Sequence, residues 1–125
     1  MTSHGTVHWT EVRTHDAEKT KEFYTATLGW TFEEMPTGGP APYYICMVDG
    51  ETFGGLSSIV EPEYADVPDH FLTYVAVDDI ERRVETARDN GAEIMREPFD
   101  IPNIGRAAVV QAPTGSVSCW ITPLG

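Results

Sequence analysis

Near the start of this chain, Trp9, Glu11 and Arg13 alternate with His8, Thr10 and Val12. Successive side chains of an extended strand point to opposite faces, so Trp9, Glu11 and Arg13 share one face and His8, Thr10 and Val12 the other. A carboxylate in a strand otherwise fit for burial is costly unless a partner meets it. Arg13 on the same face, or Arg106 from much later in the chain, can supply that partner. Glu11 is then either half of a structural Glu–Arg pair, the plainer reading, or a general base or hydrogen-bond acceptor at the floor of a site. Arg106 follows Gly105 and can close over the anionic end of a ligand, or form a rim salt bridge of little energetic weight. Cys119 is a candidate thiol nucleophile, but no histidine is placed to activate it, which favours a role as apolar lining. Gly38-Gly39 is not a phosphate loop, because no G-K-[ST] follows. Thr114-Gly115-Ser116 is hairpin chemistry and not a nucleophile elbow.

The elements that must position these residues are stated twice. Val7 to Thr14 reads as a strand, Asp16 as a helix N-cap, and the helix after it closes on Leu28 and Gly29. In His70 to Ala92 a strand ends at Val77, Asp78 caps, with Glu81 completing a capping box, and the helix closes on Asn90 and Gly91. Cap to glycine spans 13 positions in both copies, at an offset of 62. A repeat of this kind makes a two-module chain. In the first helix Ala17, Phe23 or Tyr24, and Thr27 or Leu28 form a modest apolar stripe; in the second, Ile80, Val84 and Ala87 do. Trp30 to Phe32, Tyr43 to Val48 and Phe53 to Ile59 are further strands of the first module, the last weakened or bulged at Gly54-Gly55. Glu93 to Arg96, Ala107 to Gln111 and Val117 to Thr122 answer them in the second. Pro36 to Pro42 and Phe99 to Gly105 are expected as loops. The sequence thus predicts an α+β protein in one domain, residues 1–125, with βαβββ modules at 7–60 and 70–123 and a linker at 61–69.

Composition narrows the partners. Of 125 residues, 41% are hydrophobic and 22% charged, ordinary values for a globular protein. Eight basic against twenty acidic side chains give a formal charge of −12, which argues against nucleic acid. A solvated acidic coat accounts for that charge more simply than an acid-specific function. No apolar run approaches the roughly 20 residues of a membrane span, and nothing resembles a signal peptide, so a cytoplasmic location is expected. Cys46 and Cys119 lack a C-x-x-C spacing and are expected to be reduced and buried.

The pattern D-x-x-x-x-x-x-F-Y-x-x-x-L-G-W, Asp16 to Trp30, resembles the vicinal oxygen chelate superfamily of glyoxalases, bleomycin-resistance proteins and extradiol dioxygenases. The Val-Asp-Asp at 77–79 with its helix and Asn90-Gly91, the run Gly105-Arg106-Ala-Ala-Val-Val, and Pro113-Thr-Gly115 extend the likeness over nearly the whole chain. The resemblance implies paired βαβββ modules forming a U-shaped, partly open, barrel-like sheet with helices outside, most often as a homodimer. In metal-dependent members it also implies a divalent ion held by His and Glu from four strands. The corresponding positions here are Trp9, Leu72, one of Gly54, Gly55 and Leu56, and Cys119, none of them His or Glu. Of the histidines, His8 lies on the opposite face from Trp9, His15 at a helix cap and His4 in a polar tail. Only His70, with Glu11, offers a fallback metal pair. The pocket so described has Trp9, Tyr74 and Tyr44 as flat walls, Leu72, Val117 and Cys119 as apolar lining, and Glu11, Arg13 and Arg106 as polar groups.

Three functions follow. The leading one is binding of a small aromatic or amphipathic molecule, without cofactor or metal, by sequestration or with Glu11 as acid–base. The second is a divalent-metal lyase, isomerase or dioxygenase with non-standard ligands. The third is a non-catalytic interaction domain.

Overall fold

The computed structural model describes residues 3–36, 41–101 and 104–124. The chain forms two compact units, residues 9–71 and residues 1–8 with 72–125.

In the first unit β1 (Val7–Thr14) is followed by α1 (Ala17–Leu28), β2 (Thr31–Met35), β3 (Tyr43–Val48) and β4 (Glu51–Ser58). The sheet order is β2-β3-β4-β1, with β1 parallel to β4 and the other pairs antiparallel. Asp16 caps α1 by accepting from the Lys19 amide, and Gly29 ends it in the left-handed conformation at φ 73, where glycine carries no Cβ penalty. Val12, Tyr44, Cys46 and Leu56 form the core on the helix side of the sheet, with Ala17, Tyr24, Trp30, Phe32 and Phe53 packed against them. Tyr24 stacks on Trp30 at 4.5 Å, whereas Phe23 and Leu28 are exposed. The apolar stripe of α1 is therefore carried by Ala17 and Tyr24. Residues 61–69, expected as a linker, run with this unit and contain a single 3-10 turn, Pro62–Tyr64. Asp69 holds them down, accepting from the Thr14 hydroxyl at 2.6 Å and the His15 amide at 3.0 Å.

The second unit contains most of β5 (His70–Ala76), then α2 (Ile80–Asp89), β6 (Glu93–Ile101), β7 (Gly105–Gln111) and β8 (Val117–Pro123), in the order β5-β8-β7-β6. Ile80, Val84 and Ala87 are the buried face of α2. Ile80 and Val84 pack with Val77 and Ala108. The cap is Asp79, which accepts from the Arg82 amide, and not Asp78. Asp78 is instead engaged by Arg83 through two 2.8 Å hydrogen bonds, which hold its carboxyl down at about 2. Strand β6 runs on through Ile101, where a loop was expected, because Phe99 and Ile101 pair with Ala107 and Gly105. Of the two expected loops, residues 37–40 and 102–103 lie outside the described residues. No helix among the described residues is long and apolar enough to cross a membrane.

Candidate ligand-binding site

In each unit the strands have a face that the unit's helix does not cover, and alternation decides what stands there. In the first unit β1 directs Thr10, Val12 and Thr14 toward α1 and Trp9, Glu11 and Arg13 away from it. Val12 pairs with Leu56 and Leu56 with Tyr44, all three in the helix-side core. One step along, Glu11 pairs with Gly55 and Gly55 with Ile45 on the helix-free face.

Glu11 is 5% exposed, the most deeply buried ionisable group described on this face. Its Oε2 accepts from the Ser57 hydroxyl at 2.9 Å, and Arg13 Nη1 lies 3.6 Å away. Arg13 is therefore the partner that the sequence offered, held also over the Tyr64 ring at 5.5 Å. Beside them the Trp9 indole donates to the Tyr43 hydroxyl at 2.9 Å. The Tyr43 phenol lies directly across Gly55, since a Cβ at that glycine would overlap its oxygen. Burial raises the Tyr43 pKa, and the Glu11 charge with its hydrogen bond to the phenol raises it further. Tyr43 thus holds its proton more tightly than a free phenol does, with the Glu11 carboxylate beside it.

Tyr44, expected as a wall of the site, is on the other face. It is buried in the core, with Lys21 Nζ 3.8 Å from its ring centroid and its hydroxyl 3.4 Å from Glu18. The aromatic residue of the site is its neighbour Tyr43, which, like Ser57, is not among the residues expected there from the sequence. The usable signal was the Tyr-Tyr pair itself, one ring for each face. Its parity is set by the register slip between Cys46 and Met47, opposite which Phe53 is the extra residue.

In the second unit Leu72, Ala107, Cys119 and Ile121 cluster on the helix-free face, with Tyr74, Phe99, Ile101 and Val109 against them. Val117 is two positions before Cys119 on the same face and 43% exposed. Leu72, Tyr74, Val117 and Cys119 therefore share this face. Arg106 is not with them. It sits in β7, where alternation turns it to α2, bonded to Glu81 at 2.9 Å and Asp100 at 3.1 Å. Both cysteines are free and buried, and burial pushes the Cys46 thiol up to about 12.

Among the described residues the donors do not make a divalent-ion site. No three His, Cys, Asp or Glu side chains come together among the described residues. His70 Nδ1 is 2.8 Å from the Pro68 carbonyl oxygen, and Glu11 is surrounded by Ser57, Arg13 and Tyr43. A cavity of about 450 Å³ lies beside α2, lined by Val75, Val77, Ala87 and Trp120. Its ionisable lining groups, His4 and Arg83, both engage Asp78, so its walls offer shelter but little chemistry.

Two βαβββ units, one carrying a buried carboxylate on its open face, define a paired-module α+β protein. A family model described as the Glyoxalase/Bleomycin resistance protein/Dioxygenase superfamily matches residues 6–118, and the chain belongs to that superfamily. It is 31% identical over 118 residues to "Putative glyoxylase CFP32" of Mycobacterium tuberculosis, covering 93% of this chain and 45% of the relative. It is 29% identical over 126 residues to the anthracycline biosynthesis protein DnrV of Streptomyces peucetius, covering 86% and 43%. The chain thus spans about half the length of the curated relatives it matches. Among solved structures, hypothetical protein BH1468 of Bacillus halodurans superposes with a TM-score of 0.73 at 11% identity, over 98% of this chain and 97% of that one. Methylmalonyl-CoA epimerase of Mycobacterium tuberculosis does so with 0.68 at 13%, over 100% and 94%. At those identities the likeness shows the fold alone.

Proposed function

We propose that this protein binds a small aromatic or amphipathic molecule on the helix-free face of its first unit, without a divalent metal. The observation that carries this reading is Glu11, 5% exposed and accepting from Ser57, beside the Trp9–Tyr43 pair. Two flat rings next to a buried acceptor form the usual combination of apolar contact and orienting polar group in a ligand site. Glu11 is the group that would act as acid or base if the ligand is transformed. The relative named as an anthracycline biosynthesis protein supports a small organic ligand in this reading. The protein acts as a homodimer in this reading, and a ~14 kDa species in sedimentation at micromolar concentration would count against that part of it.

The test is a titration with a panel of aromatic metabolites followed by the Trp9 indole N–H resonance, alongside elemental analysis after incubation with Ni, Zn, Mn and Fe salts. Saturable shifts at Trp9 without retained metal are expected. Stoichiometric retained metal would favour a metal-dependent lyase, isomerase or dioxygenase. A silent Trp9 across the panel would favour an interaction domain.

A further inference from the structure

The donors and acceptors on this face set the class of ligand, an inference that rests on the binding role proposed above. An indole nitrogen can only donate, so the 2.9 Å contact fixes Tyr43 Oη as the acceptor of the Trp9 N–H. Glu11 pairs with Gly55, over which the Tyr43 phenol lies, so the single Tyr43 proton has the Glu11 carboxylate beside it, and the hydrogen bond between them raises the phenol pKa. The Ser57 proton is committed to the same carboxylate. What Tyr43 and Ser57 have left to offer an incoming molecule are oxygen lone pairs. The cation on this face, Arg13, is taken up by the Glu11 carboxylate beside it, which offsets its charge. Arg13 stands four residues from Trp9 along β1, about 13 Å at strand spacing, with its guanidinium over Tyr64 and 3.6 Å from Glu11. The surrounding charge acts in the same sense, since the first unit holds three basic against twelve acidic side chains, a potential that repels anions.

We infer that Tyr43 is the specificity-determining residue of this site and that the ligand is an aromatic molecule bearing a hydrogen-bond donor, a phenol or aryl amine, and not a carboxylate, phosphate or ether. Gly55 is part of the device. Any side chain there would drive the phenol off its seat, and the obstructing atom is the movable end of a side chain, so the sheet itself can tolerate the change.

The experiment compares 4-methylphenol, 4-methylanisole and 4-methylbenzoate on the full chain, read as dissociation constants from Trp9 indole N–H shifts. In the unaltered protein the phenol binds at least about tenfold tighter than the anisole, the effect of one hydrogen bond, and the benzoate is weakest. Tyr43→Phe keeps the ring over Gly55 but leaves the Trp9 N–H available to acceptors, so the preference narrows to within about threefold. Gly55→Ala narrows it likewise by displacing the phenol. A loss of packing alone would weaken all three probes together and leave their ratio unchanged. An anisole or benzoate that binds as well as the phenol, or a preference that survives Tyr43→Phe, overturns the inference while leaving the binding role standing. Silence from all three probes overturns both.

Discussion

Glu11→Gln replaces an acceptor-only group by one that must present an N–H₂ to some neighbour. Ser57 can still donate to the remaining oxygen, so the fold keeps that contact. Tyr43 and any ligand donor then meet an amide that competes with them. Binding of an aromatic donor such as 4-methylphenol should weaken about tenfold, while the melting temperature moves by less than about 5 °C. A drop of 10 °C or more with binding intact would make Glu11–Arg13 a structural pair instead. The same neighbourhood sets an alkaline limit. The Cys46 thiol, raised from 9.0 to about 12, and the Tyr43 phenol, also raised, hold their protons more tightly folded than unfolded. Their contribution is complete below pH 9 and is lost as pH rises, first through Cys46 and above pH 10 through Tyr43 as well. Each group costs up to about 1.4 kcal/mol per pH unit while it titrates only in the unfolded chain. Urea midpoints should fall from pH 9 upward. Cys46→Ala, though it lowers the midpoint at pH 8, should flatten the curve between 9 and 10. At this scale Glu11, Trp9 and Arg13 were legible in the sequence because strand alternation is a local rule. Tyr43 was not, because its face depends on a register slip fixed by the partner strand.

Among elements, order and type were readable and ends were not. The strand-helix repeat is written in periodicity and capping residues, and Asp16 and Gly29 stand where those rules put them. Val-Asp-Asp at 77–79 offered two caps, and the sequence could not tell that Arg83 would claim Asp78 and leave the cap to Asp79. From cap to glycine the second copy is therefore one residue shorter than the first. Arg106 was misplaced for a related reason. As a loop residue it could reach over a ligand, but as a member of β7 its direction is fixed by Ala107 and Ala108 on either face. The local rules still yield stability differences. Asp16→Ala removes the acceptor for the Lys19 amide and should cost about 1 kcal/mol, read as a lowered urea midpoint. Gly54→Ala should cost more than Gly55→Ala although the two glycines are adjacent. A Cβ on Gly54 meets the Thr10 backbone carbonyl, which cannot move without opening the β1–β4 pairing, whereas a Cβ on Gly55 meets a side chain that can swing away. Equal losses at the two positions would mean that the Tyr43 phenol is not free to leave.

Across the whole molecule the acidic excess is unevenly shared, and this makes salt a selective stabiliser. The first unit carries three basic and twelve acidic residues, the second five and eight. The second unit's acids are largely matched: Asp78 with Arg83, Glu81 and Asp100 with Arg106, Glu85 and Glu97 with Arg88. The ion pairs described in the first unit are Glu11–Arg13 and Glu18–Lys21. Salt screens repulsion and attraction alike, with a Debye length that falls from about 30 Å at 0.01 M to about 3 Å at 1 M. In the first unit screening mainly removes self-repulsion and stabilises. In the second it also weakens exposed pairs, and the two effects largely offset. Raising NaCl from 0.01 to 1 M should therefore slow amide exchange in β3 and β4 more than in β7 and β8. A uniform slowing would mean that salt acts on apolar burial and not on charge, and a larger effect in β7 would place the unrelieved repulsion in the other half of the chain.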